Sequence, residues 1–242
     1  DPVADRQVLE QFLAKYEEKN GLLPQKNNVI LLLGNNDWPF PIPLVKQGGR
    51  WAFDTGKGKE EILNRRIGEN ELNTINVCLA YVDAQREYAR LDMDGDAIPE
   101  YAEKLMSDPG KKNGLYWETK EGETLSPFGP VLAEARKEGY TGKKADNKAV
   151  PYHGYYYRAL RAQGKHAPGG AYEYVVKGKL IGGFALVAYP AKYGNSGIMT
   201  FIVNHDGVVY EKNFGMNTAK YAEDMMLFDP DQTWKKVDKP NK

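Results

Sequence analysis

Two runs of the chain, 184–189 (FALVAY) and 198–203 (IMTFIV), are apolar from end to end and of strand length. Gly183, Pro190, Gly194 and Gly197 punctuate them, and the second ends at Asn204-His205-Asp206-Gly207. A strand with one face in water alternates apolar and polar residues. Neither run does, so both need cover on two faces and belong in the middle of a sheet. Asp206-Gly207 readily takes positive φ, so 208–210 (VVY) is expected to return beside 198–203 as a hairpin. The segment 152–160 (YHGYYYRAL), dense in aromatics, favours a further half-buried strand. Three or four antiparallel strands then require a covering layer from elsewhere in the chain.

That layer is expected from 69–89, the longest helical pattern. It places Leu72, Ile75, Leu79 and Val82 on one stripe, with Cys78, Tyr81 and Tyr88 beside it. Upstream, 2–19 has Val8, Leu9, Phe12, Leu13 and Tyr16 at helical spacing. A strand at 29–33 follows, then a hairpin of 40–46 and 51–54 through Gln47-Gly48-Gly49-Arg50. Pro39, Pro41 and Pro43 lack donors and push its first arm to an edge. A charged helix opens at 56–59 and runs to about Arg66. A helical turn is expected at 100–106, a helix at 130–137 stopped by Gly139, and loop over the rest of 108–151. A helix at 217–226 with Tyr221, Met225 and Phe228 as core contacts precedes a frayed tail from Asp229. The fold class is α+β in two parts: a small helix and β-hairpin unit over 1–67, and a long helix on an antiparallel sheet over 68–242.

At 242 residues the chain can bury a core without staples. With 33 basic and 33 acidic residues it carries no electrostatic footprint for nucleic acid or an anionic membrane. Its one cysteine, Cys78, excludes an intramolecular disulfide and sits mid-helix among apolar neighbours, as a buried inert thiol does. No apolar run approaches the roughly 20 residues of a membrane helix, so membrane insertion is not expected. The start at Asp1, without methionine or a signal-like apolar segment, is what either a processed product or a truncated one with its export signal out of view would show.

One stretch carries a metal pattern. Asp92, Asp94, Asp96, Glu100 and Glu103 occupy positions 1, 3, 5, 9 and 12 of a calcium loop, and calcium is the one cofactor expected. Ala97 stands where that pattern wants glycine, and Pro99 restricts the backbone beside Ile98. A solvated turn with capping aspartates is the bland alternative. His153, His166 and His205 lack zinc spacing, Gly194-Asn195-Ser196-Gly197 fails the nucleophile-elbow template and reads as a turn, and the glycine pairs lack a P-loop lysine. No catalytic residue is assigned. Tyr152, Tyr155, Tyr156, Tyr157, Tyr172 and Tyr174 combine apolar faces with hydroxyls and form a candidate face for glycan or peptide.

Six stretches stand out together: Trp38-Pro39-Phe40-Pro41-Ile42-Pro43, Trp51-Ala52-Phe53-Asp54, Arg65-Arg66-Ile67-Gly68-Glu69-Asn70-Glu71-Leu72, Tyr81-Val82-Asp83-Ala84-Gln85, Pro151-Tyr152-His153-Gly154-Tyr155-Tyr156 and Ala167-Pro168-Gly169-Gly170. Taken together they resemble one bacterial family, the uncharacterised family catalogued as domain of unknown function 2950. That resemblance implies export to the periplasm or cell surface. From Asn70 onward the chain also resembles type IV pilin and pseudopilin heads, through Ala84-Gln85-Arg86-Glu87-Tyr88 and the 197–208 hairpin. Such heads often carry an acidic or calcium loop, which bears on 92–96. A pilin needs a long apolar N-terminal helix, whereas Lys59-Glu60-Glu61 and Arg65-Arg66 precede Asn70, so filament assembly by that route is not expected. The first 67 residues bear a weaker similarity to cystatin-like or nuclear-transport-factor-like folds. The functional expectation is a non-enzymatic binding or structural module of the cell envelope, partnered by an envelope protein or glycan. The alternatives are an envelope-polymer hydrolase and a calcium-dependent glycan-binding module.

Overall fold

The computed structural model describes residues 2–93, 95–119, 122–137 and 151–238. It is a mixed α+β protein that packs as two compact units, Asp1–Arg66 and Ile67–Lys242.

In the N-terminal unit α1 (Pro2–Glu18) precedes β1 (Asn20–Pro24), β2 (Val29–Leu33), β3 (Trp38–Pro39), β4 (Leu44–Gln47) and β5 (Arg50–Phe53). The apolar VILLL of β2 takes the centre, with Leu31 and Leu33 buried. It is antiparallel to β1, β3 and β4, and β5 lies outside β4. The first hairpin arm is shorter than expected because Pro41 and Pro43 have no N–H for a ladder, so β4 begins only at Leu44. Gly48 and Gly49 hold φ of +56° and +82°, the two left-handed residues of a type I′ turn. Phe12 of α1 packs on Phe40 with ring centroids 5.1 Å apart, whereas Leu13 and Tyr16 are exposed.

The helices expected at 56–66 and 69–89 are a single one, α2 (Thr55–Tyr88). Gly68 does not break it, since one internal glycine costs only about 1 kcal/mol against alanine. Asp54 starts it by accepting the Lys57 N–H at 3.1 Å. Residues 55–66 of α2 belong to the N-terminal unit and the rest to the C-terminal one.

The C-terminal unit adds β6 (Lys104–Met106) and β7 (Gly114–Tyr116), a parallel pair, and α3 (Gly129–Lys137). Then come β8 (Tyr155–Leu160), β9 (Ala162–Gln163), β10 (Tyr172–Glu173), β11 (Val175–Val176) and β12 (Lys179–Leu180). The order closes with β13 (Ala185–Pro190), β14 (Thr200–Asn204), β15 (Val209–Lys212), α4 (Thr218–Asp224) and β16 (Lys235–Lys236). The main sheet has the order β16-β15-β14-β13-β8 and is antiparallel throughout. The two apolar runs are its buried centre: every residue of β14, and all but Tyr189 in β13, is buried. Cys78, Tyr81, Val82 and Tyr88 of α2 share their core, and Tyr81 meets Phe184 edge-on at 5.6 Å.

Four expectations need correction. Leu72 is 58% exposed, because the buried stripe runs through Thr74, Cys78, Tyr81 and Gln85. The turn expected at 100–106 contains the strand β6. Tyr221 is exposed rather than core, while Phe228 is fully buried. The tail from Asp229 is not frayed over 229–238: Lys235 and Lys236 pair with Glu211 and Tyr210 at the sheet edge. Gly139 lies outside the described residues. No helix among the described residues is long and apolar enough to cross a membrane.

Candidate functional site

The six tyrosines do not make one face. Tyr155 and Tyr174 are fully buried, Tyr152, Tyr156 and Tyr157 are half-buried, and Tyr172 is exposed. Side chains alternate along β8, so Tyr155 points into the core while Tyr156 stacks toward Tyr189, ring centroids 5.7 Å apart. The Tyr155 hydroxyl donates to the Met199 carbonyl at 2.9 Å and that of Tyr174 to Gln163 Oε1 at 2.9 Å. Burial raises both phenols well above their ordinary range.

In the acidic loop Asp92 accepts the N–H groups of Gly95 (3.1 Å) and Ala97 (3.2 Å), and Ala97 takes φ +62°. Three other carboxylates have cationic side-chain partners: Asp96 and Glu100 lie on Lys179, and Glu103 on Arg161. Asp94 lies outside the described residues. Among the described residues no three His, Cys, Asp or Glu side chains are placed to hold a metal ion.

The histidines are also apart. His153 lies 3.3 Å from Asn73 Nδ2, and His166 Nδ1 lies 3.0 Å from Asp229 Oδ2. His205 Nε2 is 3.3 Å from the Tyr172 phenol, and its Nδ1 is buried without a partner among the described residues. The 194–197 segment forms a turn, in which Ser196 Oγ accepts the Lys192 N–H at 3.0 Å.

A groove of about 410 Å³ lies within the N-terminal unit and has one wall of Ile30, Pro39, Phe40, Pro41 and Pro43. The other is built by Lys57, Glu60, Glu61, Asn64 and Arg65, with Gln25 and Asn28 at one end. Residues three and four apart stand on one helix face, which is why 57, 60–61 and 64–65 line a single side of α2. The proline arm approaches α2 at Gly58, where a Cβ would stand 2.7 Å from Ile42 Cγ1. Arg65 fixes the two walls together. Its Nε bonds Glu61 Oε1 at 2.7 Å, a terminal nitrogen donates to the Pro39 carbonyl at 2.7 Å, and the guanidinium sits 5.4 Å from the Trp38 ring centroid. By contrast, the side chains of Glu60, Asn64 and Gln25 make no hydrogen bond among the described residues, and Asn28 Oδ1 is buried without a partner. The sequence shows both walls but not their meeting, since the proline arm reads as an irregular edge and 56–66 as a solvated charged helix.

Over residues 1–237 the chain matches the family described as Protein of unknown function (DUF2950). The chain belongs to that family. Two stretches that carry the family resemblance, 38–43 and 65–72, contribute to the groove, through Pro39 to Pro43 and through Arg65. No curated protein and no solved structure matches the chain.

Proposed function

We propose that this chain is an exported, non-enzymatic binding or structural module of the bacterial cell envelope, and that the groove of the N-terminal unit is its ligand site. One observation carries this reading: Glu60 and Asn64, exposed and without a side-chain hydrogen bond among the described residues, stand opposite a wall of prolines and Phe40, with the buried Asn28 Oδ1 at one end, across a volume in the range of ligand pockets. That pairing of an apolar wall with a few convergent acceptors and amides suits a sugar ring or an extended peptide, each with apolar and hydrogen-bonding sides. Isothermal titration of the full chain with purified peptidoglycan fragments and with short peptides tests it. Saturable binding that Glu60→Ala and Asn64→Ala weaken without lowering Tm is expected. Absence of binding by both probe classes, or binding indifferent to those changes, overturns the reading.

The C-terminal unit we read as pilin-like, on the support of α2 lying over an antiparallel sheet. Before Asn70, α2 carries Lys59, Glu60, Glu61, Arg65 and Arg66, so this reading excludes filament assembly through a long apolar N-terminal helix. A second reading, calcium at the 92–103 loop serving glycan recognition, draws on Ala97. It adopts positive φ at the sixth place of the pattern, where a calcium loop needs its sharp turn.

A further inference from the structure

A second surface of the N-terminal unit, separate from the groove, is the outer edge of β5. Among the described residues β5 pairs only with β4, and all four of its residues are exposed, Trp51 at 57% and Phe53 at 44%. The register decides which main-chain groups are open. Gln47 faces Arg50 across the two-residue turn, Val45 faces Ala52, and the Asp54 N–H donates to the Pro43 carbonyl at 2.9 Å. Hydrogen-bonded and non-bonded pairs alternate along an antiparallel ladder. Arg50, Ala52 and Asp54 therefore point their N–H groups toward β4, while the N–H and C=O groups of Trp51 and Phe53 point off the sheet. These four outward groups are spaced as an incoming strand needs them.

Charge selects the occupant. Residues 38–53 hold two charged side chains, Lys46 and Arg50, both basic, both exposed and without an ion pair among the described residues. Lys46 shares a face with its cross-strand neighbour Trp51, and Arg50 projects from the opposite face. We propose that β5 takes up an extended acidic polypeptide as an added strand, its backbone bonded to Trp51 and Phe53 and its carboxylates set against Lys46 and Arg50.

The test uses the full chain and two short synthetic peptides, one alternating glutamate with valine and its lysine counterpart. The glutamate peptide binds in a salt-sensitive manner and protects the Trp51 and Phe53 amides from hydrogen exchange about tenfold, leaving those of Arg50 and Ala52 unchanged. The K46E/R50E variant, with unaltered Tm, binds that peptide about tenfold more weakly and gains affinity for the lysine peptide. Equal binding of both peptides overturns the proposal, as does unchanged exchange at Trp51 and Phe53 in the bound state. Protection of those amides that grows with protein concentration alone assigns the edge to a second copy and also overturns it.

Discussion

A Cβ placed on Gly197 would run into the phenol ring of Tyr155. The ring is fully buried and its hydroxyl is anchored on the Met199 carbonyl at 2.9 Å, so it has nowhere to retreat. Gly197→Ala is expected to cost about 3 kcal/mol in urea unfolding, the upper range of overpacking. Tyr155→Ala costs about 4 kcal/mol by leaving a cavity. Together they cost about 2 kcal/mol less than their sum, because the cavity receives the new methyl group. Additive effects would show that the clash is absorbed elsewhere.

Glu71 holds the same corner from the helix. Its Oε1 accepts the N–H groups of Ile198 (2.8 Å) and Met199 (3.0 Å), just before β14. Glu71→Ala strands both donors and is expected to cost about 3 kcal/mol, whereas Glu71→Gln keeps an acceptor and costs about 1 kcal/mol. Burial first, and the Glu71 charge second, hold the Glu211 carboxyl above its ordinary range. Both substitutions should let Glu211 titrate lower, read by NMR of its carboxyl carbon. An unmoved Glu211 would mean that burial alone sets it.

How far the chain could be read from its letters follows from where the information is local. FALVAY and IMTFIV announce the sheet centre because a doubly covered strand has no polar face to present, and Asp206-Gly207 announces the return into β15. The strands β9 to β12 are two residues each, too short for any periodicity. Of the stripe expected on α2, Ile75 and Val82 are buried and Leu79 packs on the core, but Leu72 stands in solvent because Glu71 beside it turns inward as a carboxylate clamp, a role that hydrophobic spacing hides. The groove escaped for a related reason, as its walls are 20 or so residues apart and meet through Arg65 and Gly58, neither of which has a signature of its own.

Ala97 sits at φ +62°, a region that costs an L-residue roughly 1–2 kcal/mol. Ala97→Gly is expected to stabilise the protein by about 0.5–1 kcal/mol after the extra chain entropy of glycine is subtracted. An added cation must displace Lys179 from Asp96 and Glu100, and Arg161 from Glu103. Millimolar calcium is therefore expected to leave Tm unchanged in the native chain. A rise of several degrees, larger still in Ala97→Gly, would show that the loop exchanges its lysine for metal.

Cys78 makes stability depend on alkaline pH. Burial pushes its thiol from an ordinary 9.0 up to about 12. Below pH 9 the folded and unfolded chains both keep this proton, and the group leaves stability unchanged. Between pH 9 and 12 the unfolded chain releases a proton that the folded chain retains, so unfolding is favoured by about 1.4 kcal/mol for each further pH unit. Burial likewise raises Tyr81, Tyr155 and Tyr174 from an ordinary 10.0, so each adds to the decline above pH 10. Urea midpoints are expected to fall from pH 9 upward in the native chain and only from about pH 10 in Cys78→Ala. Superimposable profiles for the two proteins would show that the thiol ionises in place at no cost, and that the core around Cys78 admits water.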